Sequence, residues 1–220
     1  MNKWLLTKWI LANGTGMALG FYTYLYLLMV IAFGLDFEKY WSDAAVEGLE
    51  NSEQMLRWGS AIGLPLAGVV FTSFQAVLLR GSSVNLRRWI FAGPSGFVVP
   101  LLVIWALTSV WGDIPGPVEP FTIVGGGLLG VAAIQWWSLP HDGGHSKRWL
   151  LLWCFGLPLG MVAFMLTYAL LDAVIVPSSA GSITWAWEIG LIGFSVGSVA
   201  AAVSGTSLLR SISVGTPVAG

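Results

Sequence analysis

Two stretches decide how this chain is read: FTSFQAVLLRGSSVNLRRWIFAGPSGFVVP, from Phe71 to Pro100, and VAAIQWWSLPHDGGHSKRWLLLWCFGLPLG, from Val131 to Gly160. Each runs through a glutamine, a leucine, a basic turn, a tryptophan and a spaced glycine. Gln75 and Gln135 stand 60 positions apart, as do Trp89 and Trp149, and Gly96 and Gly156 keep the same offset. Self-similarity at a fixed period marks a structural unit used more than once. A third copy emerges if it is split across the termini. Trp9, Gly16 and Gly20 have the spacing of Trp149, Gly156 and Gly160, and Leu209-Arg210 mirrors Leu79-Arg80, with Gly205 in the glutamine position. The expectation is three helical hairpins related by a pseudo-threefold axis, with the first helix pairing with the last. It fails if those two helices are not neighbours. Chance remains the competing reading, because helix ends attract Trp and Arg in any membrane protein.

Working outward, the composition sets the solvent. Of 220 residues, 56% are hydrophobic and 10% charged, against about 25% charged in soluble domains. Crossing a hydrocarbon layer takes roughly 20 apolar residues in a helix, and six stretches qualify: Trp9–Leu35, Trp58–Leu79, Trp89–Trp111, Phe121–Leu139, Trp149–Val176 and Ile183–Leu209. They do not alternate as barrel strands would. The expected fold class is therefore an all-α integral membrane protein, a single domain of six transmembrane helices. The first run is too long for a signal-peptide core and reads as a retained anchor. The net charge of −1 gives no basic field for nucleic acid, and the one cysteine, Cys154, excludes an internal disulfide.

Charge orients the bundle. Of the ten basic residues, Lys3, Lys8, Arg80, Arg87, Arg88, Lys147, Arg148 and Arg210 fall at the termini and the even loops, leaving Lys39 and Arg57 for the other side. The positive-inside rule makes the larger group cytoplasmic, and with it both termini. An odd number of spans would scramble that segregation. The segment 36–57 is the one long loop. It could place Phe37, Tyr40, Trp41, Ala44 and Leu49 on one face of an amphipathic helix on the outer surface.

The residues of this pattern, Gln75, Leu79, Arg80, Trp89, Ala92 and Gly96, resemble a loose class of bacterial multi-pass membrane proteins seen in cyanobacteria and Chloroflexi. The second copy departs from it, with Pro140 where Arg would sit. The resemblance implies an integral protein of a bacterial plasma membrane or a thylakoid-like internal membrane. It implies no defined activity and carries over no functional residue.

Candidate sites are sparse. Gln75 and Gln135 are intramembrane amides that either line a polar path or cap helix contacts and hydrogen-bond across the hairpin. Trp136, Trp137 and Trp153, with Trp105, are deeper than the other indoles and could line a pocket for a lipid, quinone or pigment, packing being the alternative. The remaining tryptophans, Trp9, Trp89 and Trp149 among them, read as an aromatic belt at headgroup level. Asp36, Asp113 and Asp172 fall at similar depth on the outer side, as an acidic ring at a pore mouth or as ordinary solvated helix ends. His141, Asp142 and His145 share one tight turn, where they are weak metal-ligand candidates without an evident fourth ligand. Pairs such as Gly16/Gly20, Gly126/Gly130, Gly156/Gly160 and Gly193/Gly197 let helices approach closely. No Walker loop, dinucleotide fingerprint or nucleophile–base pair is present, which leans against an enzyme.

Three functions compete. The first is a non-catalytic structural, accessory or assembly subunit of a larger membrane complex. Its partners would be lipid and other membrane subunits or further copies of the chain. The second is a channel or facilitator for a small solute. The third is a membrane protein that binds a lipid, quinone or pigment.

Overall fold

The computed structural model describes residues 3–33, 53–111, 118–139, 145–175 and 183–214. Those residues form six helices and no strand: α1 (Lys3–Phe33), α2 (Glu53–Leu78), α3 (Leu86–Trp111), α4 (Val118–Trp137), α5 (His145–Ile175) and α6 (Ile183–Val214). Three hold a stretch long and apolar enough to cross a membrane: Gly59–Leu78 on α2, Leu86–Val110 on α3 and Gly190–Arg210 on α6. Thr122–Trp137 on α4 is a shorter apolar stretch.

The helices pack as a ring in chain order, and α1 closes it against α6. The first and last helices are thus neighbours, as the split repeat requires. The ring is weakest between α4 and α5, which share only a narrow contact. Glycines set the tight crossings. Gly14, Gly193 and Gly197 leave no room for a β-carbon between α1 and α6, where Ser198, Ala18 and Asn13 press against them. Gly16 on α1 meets Phe71 and Phe74 on α2, Gly96 on α3 meets Val131 on α4, and Gly156 on α5 meets Ala200 on α6. One turn further out, Gly20 lies on Ala67, Pro100 on Gly126, and Gly160 on Val196. Close backbone approach of this kind is how helices gain van der Waals contact where the solvent is itself apolar.

At the α2–α3 crossing, Gly68 and Gly93 touch backbone to backbone. Pro94 cannot donate a hydrogen bond to the carbonyl four residues earlier, so the Ile90 carbonyl is released. The Thr72 hydroxyl reaches that oxygen from α2 at 3.0 Å, and it also lies 2.9 Å from the Gly68 carbonyl of its own helix. Gly81, at φ 81°, adopts the left-handed conformation that ends α2. Asn85 then caps α3, its Oδ1 accepting from the Arg88 amide at 3.2 Å.

Candidate functional site

The interior near the basic end of the bundle holds indoles and amides. Trp9 on α1, Trp89 on α3 and Trp149 on α5 are all buried, Trp9 meeting Trp89 edge to face and Trp89 meeting Trp149 at a tilt of 41°. The Trp9 and Trp89 ring centroids lie 6.2 Å apart, and those of Trp89 and Trp149 lie 6.0 Å apart. This corrects the aromatic-belt reading for these three, which face the core and not the headgroups. The cause lies in the helix repeat. Each tryptophan precedes a packing glycine (Gly16, Gly96 or Gly156) by seven residues, about two turns, so it shares the face that the glycine presses onto the next helix.

Around the indoles runs a chain of buried hydrogen bonds. Gln135 Nε2 donates to Gln75 Oε1 at 2.5 Å, and Trp89 Nε1 donates to the same oxygen at 3.0 Å. Gln75 Nε2 donates to Asn13 Oδ1 at 2.6 Å, and Asn13 Nδ2 donates to the Trp9 carbonyl at 2.8 Å. One amide oxygen therefore serves two donors from two helices, using both its lone pairs. α1, α2, α3 and α4 are tied at a single point. Gln75 thus bonds across its own hairpin to Trp89, whereas Gln135 bonds to Gln75 of the neighbouring hairpin and not to a residue of α5.

Asn13 escaped the sequence reading. Its signal was an isolated amide inside an apolar run, one turn beyond Trp9 and therefore on the same face.

Three indole donors, Trp9 Nε1, Trp149 Nε1 and Trp153 Nε1, and one acceptor, Gln135 Oε1, are buried without a protein partner. Such groups ordinarily find one. The asymmetry follows the sequence. In α2–α3, Trp89 finds Gln75. In α4–α5 the same pair of residues is present, but Gln135 turns its NH2 toward Gln75. In α6–α1 the glutamine position holds Gly205, and Trp9 lies over it. A β-carbon there would be 2.8 Å from Trp9 Cδ1 and 3.3 Å from its Nε1.

The structure does not gather Trp136, Trp137 and Trp153 into one pocket. Trp153 is fully buried against Phe71, with centroids 6.4 Å apart. Trp136 is half-buried at the edge of the core. Trp137 is 67% exposed, with the Arg88 guanidinium 5.8 Å above its ring. His145 opens α5, and its carbonyl accepts the Ser207 hydroxyl at 2.9 Å, fastening α6 to the start of α5. His141, Asp142, Asp36 and Asp113 lie outside the described residues, as do the side chain of Asp172 and the surface helix predicted within 36–57. Among the described residues no group of three His, Cys, Asp or Glu comes together.

Two cavities flank the cluster. One, of about 460 Å³, lies where α4 and α5 part. It is lined by apolar side chains, with Gly125 and Leu129 on one wall and Cys154, Pro158 and Met161 on the other. The second, of about 300 Å³, lies at the basic end between α1, the α2–α3 turn and α6, and Trp9 forms part of its wall. Neither amides nor indoles titrate near neutral pH, so the cluster itself can hold and position but cannot move protons. Compared with known proteins, the chain matches no protein family, no characterised relative and no solved structure.

Proposed function

We propose that the chain is a non-catalytic subunit of a bacterial membrane complex, built as six spans with both termini in the cytoplasm. In this reading the spans are three hairpins about a pseudo-threefold axis: α2–α3, α4–α5 and the split pair α6–α1. The equivalent glycine contacts at Gly16, Gly96 and Gly156, and the adjacency of α1 and α6, support the threefold arrangement. In this arrangement α1 crosses as the partner of α6, and α4–α5 crosses as the equivalent of α2–α3.

The observation that carries the functional reading is the closed centre. Trp9, Trp89, Trp149, Gln75 and Gln135 fill the interior with contacts to one another, each at most 1% exposed. The outward faces carry large apolar side chains such as Phe91, Val99, Leu102, Val110, Phe155 and Leu166. A filled interior and an apolar perimeter suit a protein whose work is done at its surface, against lipid and neighbouring subunits. They speak against the channel reading, which needs a continuous polar path past the two glutamines.

The test is purification from native membranes in mild detergent, with the eluate read by mass spectrometry and absorbance. Stoichiometric partner proteins are the expected result. A lone, colourless protein that conducts solute in liposomes would overturn the proposal in favour of the channel.

A second reading has one observation behind it, the apolar groove where α4 and α5 part. In this reading it holds an acyl chain, an isoprenoid tail or a pigment, and extraction of the purified protein with organic solvent would recover that molecule.

A further inference from the structure

We infer that the cavity between α1, the α2–α3 turn and α6 is a binding site for one anionic phospholipid. The inference rests on the membrane reading above, and on four observations of the site itself.

The cavity, about 300 Å³, has two chemically distinct ends. Leu5, Leu209 and Ile212 give it apolar walls, while Arg80 and Ser82 stand at the turn that closes it. A hydrocarbon tail suits the first and a charged headgroup the second. Trp9 lines it while 1% exposed, and its Nε1 has no protein partner. Buried donors of this kind are ordinarily satisfied, and a lipid ester or phosphate oxygen is an acceptor that can enter from the membrane.

Arg80 is exposed and has no ion-pair partner among the described residues, so its guanidinium is free to meet a phosphate. The field at this end is also one-signed. Lys3, Lys8, Arg87, Arg88, Lys147, Arg148 and Arg210 share it with Arg80, and Asp142 is the one carboxylate on that side in the predicted topology. That charge complements an anionic leaflet.

The position has a structural reason. In α2–α3 the space beside the tryptophan N–H is taken by the Gln75 side chain. In α6–α1 the glutamine position holds Gly205, which has no side chain to accept from the Trp9 N–H as Gln75 accepts from that of Trp89. Trp9 Nε1 is thereby left without a protein acceptor while its ring forms part of the cavity wall.

The experiment uses the full chain in mild detergent, offered equal amounts of phosphatidylglycerol and phosphatidylcholine and analysed by native mass spectrometry. One retained phosphatidylglycerol per chain is expected, in preference to phosphatidylcholine. Arg80→Gln, at an exposed site, should reduce that preference about five-fold, the contribution of one basic residue near an anionic surface. Arg87→Gln, exposed on the same turn but outside the cavity, should leave it unchanged. Trp9→Phe keeps an aromatic ring but removes the N–H donor and part of the ring area, so it should weaken retention of both lipids alike. Equal retention of the two lipids by the native protein, or equal effects of Arg80→Gln and Arg87→Gln, overturns the site. So does displacement of the lipid by excess inorganic phosphate, which would make it a phosphate site without use for a tail. Release of the chain from membranes by alkaline carbonate would sink the membrane reading itself, an outcome separate from any lipid preference.

Discussion

The α2–α3 and α4–α5 hairpins carry the same glutamine and tryptophan at the same spacing, yet one is closed and the other open. In α2–α3 the helices touch backbone to backbone at Gly68 and Gly93, and Trp89 donates to Gln75. Sixty residues on, Leu128 and Trp153 stand in place of the two glycines, both buried. Their bulk holds α4 off α5, the groove of about 460 Å³ lies between the helices, and Trp149 and Gln135 go unjoined. The difference teaches that the polar pair does not close a hairpin. The small-residue pair sets the helix separation, and the hydrogen bond forms only where that separation allows it. This ordering agrees with the modest worth of interhelical hydrogen bonds in membranes, about 0.6 kcal/mol on average.

The largest expected effect follows directly. Gly93→Leu drives a side chain into the Gly68 carbonyl and the Thr72 hydroxyl, two groups that cannot both retreat. Overpacking costs typically about 1–3 kcal/mol and occasionally more, and with backbone as the obstacle the upper end is expected. Thermal unfolding in detergent, followed by size exclusion, should show a strongly destabilised or aggregated protein. Gly125→Leu is the control on the open hairpin, where a β-carbon meets nothing within 4 Å. It should be neutral, or stabilising by up to about 1 kcal/mol from helix propensity. Equal damage from both would break the comparison.

The glutamines give a smaller contrast. Gln75→Leu removes the acceptor of two bonds and the donor of a third, leaving Trp89 Nε1, Gln135 Nε2 and Asn13 Oδ1 buried without those partners. Each such orphan costs about 1–3 kcal/mol, although a membrane reference state softens the figure. Gln135→Leu breaks one bond and also deletes an oxygen that already lacks a partner. Its cost should be under about 1 kcal/mol. Unfolding midpoints of the two variants, measured side by side, decide whether Gln75 is the hub.

The sequence made the helices legible because apolar runs bounded by turns leave little choice, and the six helices coincide with the six runs. It also made the α1–α6 contact legible, through the spacing that Trp9, Gly16 and Gly20 share with Trp149, Gly156 and Gly160. The inward direction of Trp9, Trp89 and Trp149 was written at the same spacing, seven residues before each packing glycine, but belt statistics for membrane tryptophans pulled the reading outward. Asn13 was hidden by its small neighbours Gly14, Thr15 and Gly16, which made the segment look like a packing stripe. The α4–α5 opening needed a comparison of copies position by position. A leucine in place of a glycine is unremarkable in an apolar helix until its counterpart is known to touch backbone.

The finest contrast lies between two indole nitrogens. Trp89→Phe removes a donor that Gln75 uses, so it leaves one acceptor lone pair unsatisfied and loses a bond worth about 0.5–1.5 kcal/mol. Trp149→Phe removes a donor that no protein group uses. Trp89 meets the rings of both Trp9 and Trp149, whereas Trp149 meets that of Trp89, so Trp89→Phe loses the hydrogen bond and at least as much ring contact. Trp149→Phe should therefore be the milder by about 1 kcal/mol, close to the worth of the bond itself. If it proves the harsher, its N–H is satisfied by a bound molecule. The vacant acceptor Gln135 Oε1, buried in the same cluster, would be the first place to look for that molecule's other contact. If the two cost the same, the Gln75–Trp89 bond adds nothing to the closed hairpin, and glycine contact alone accounts for the difference between the two.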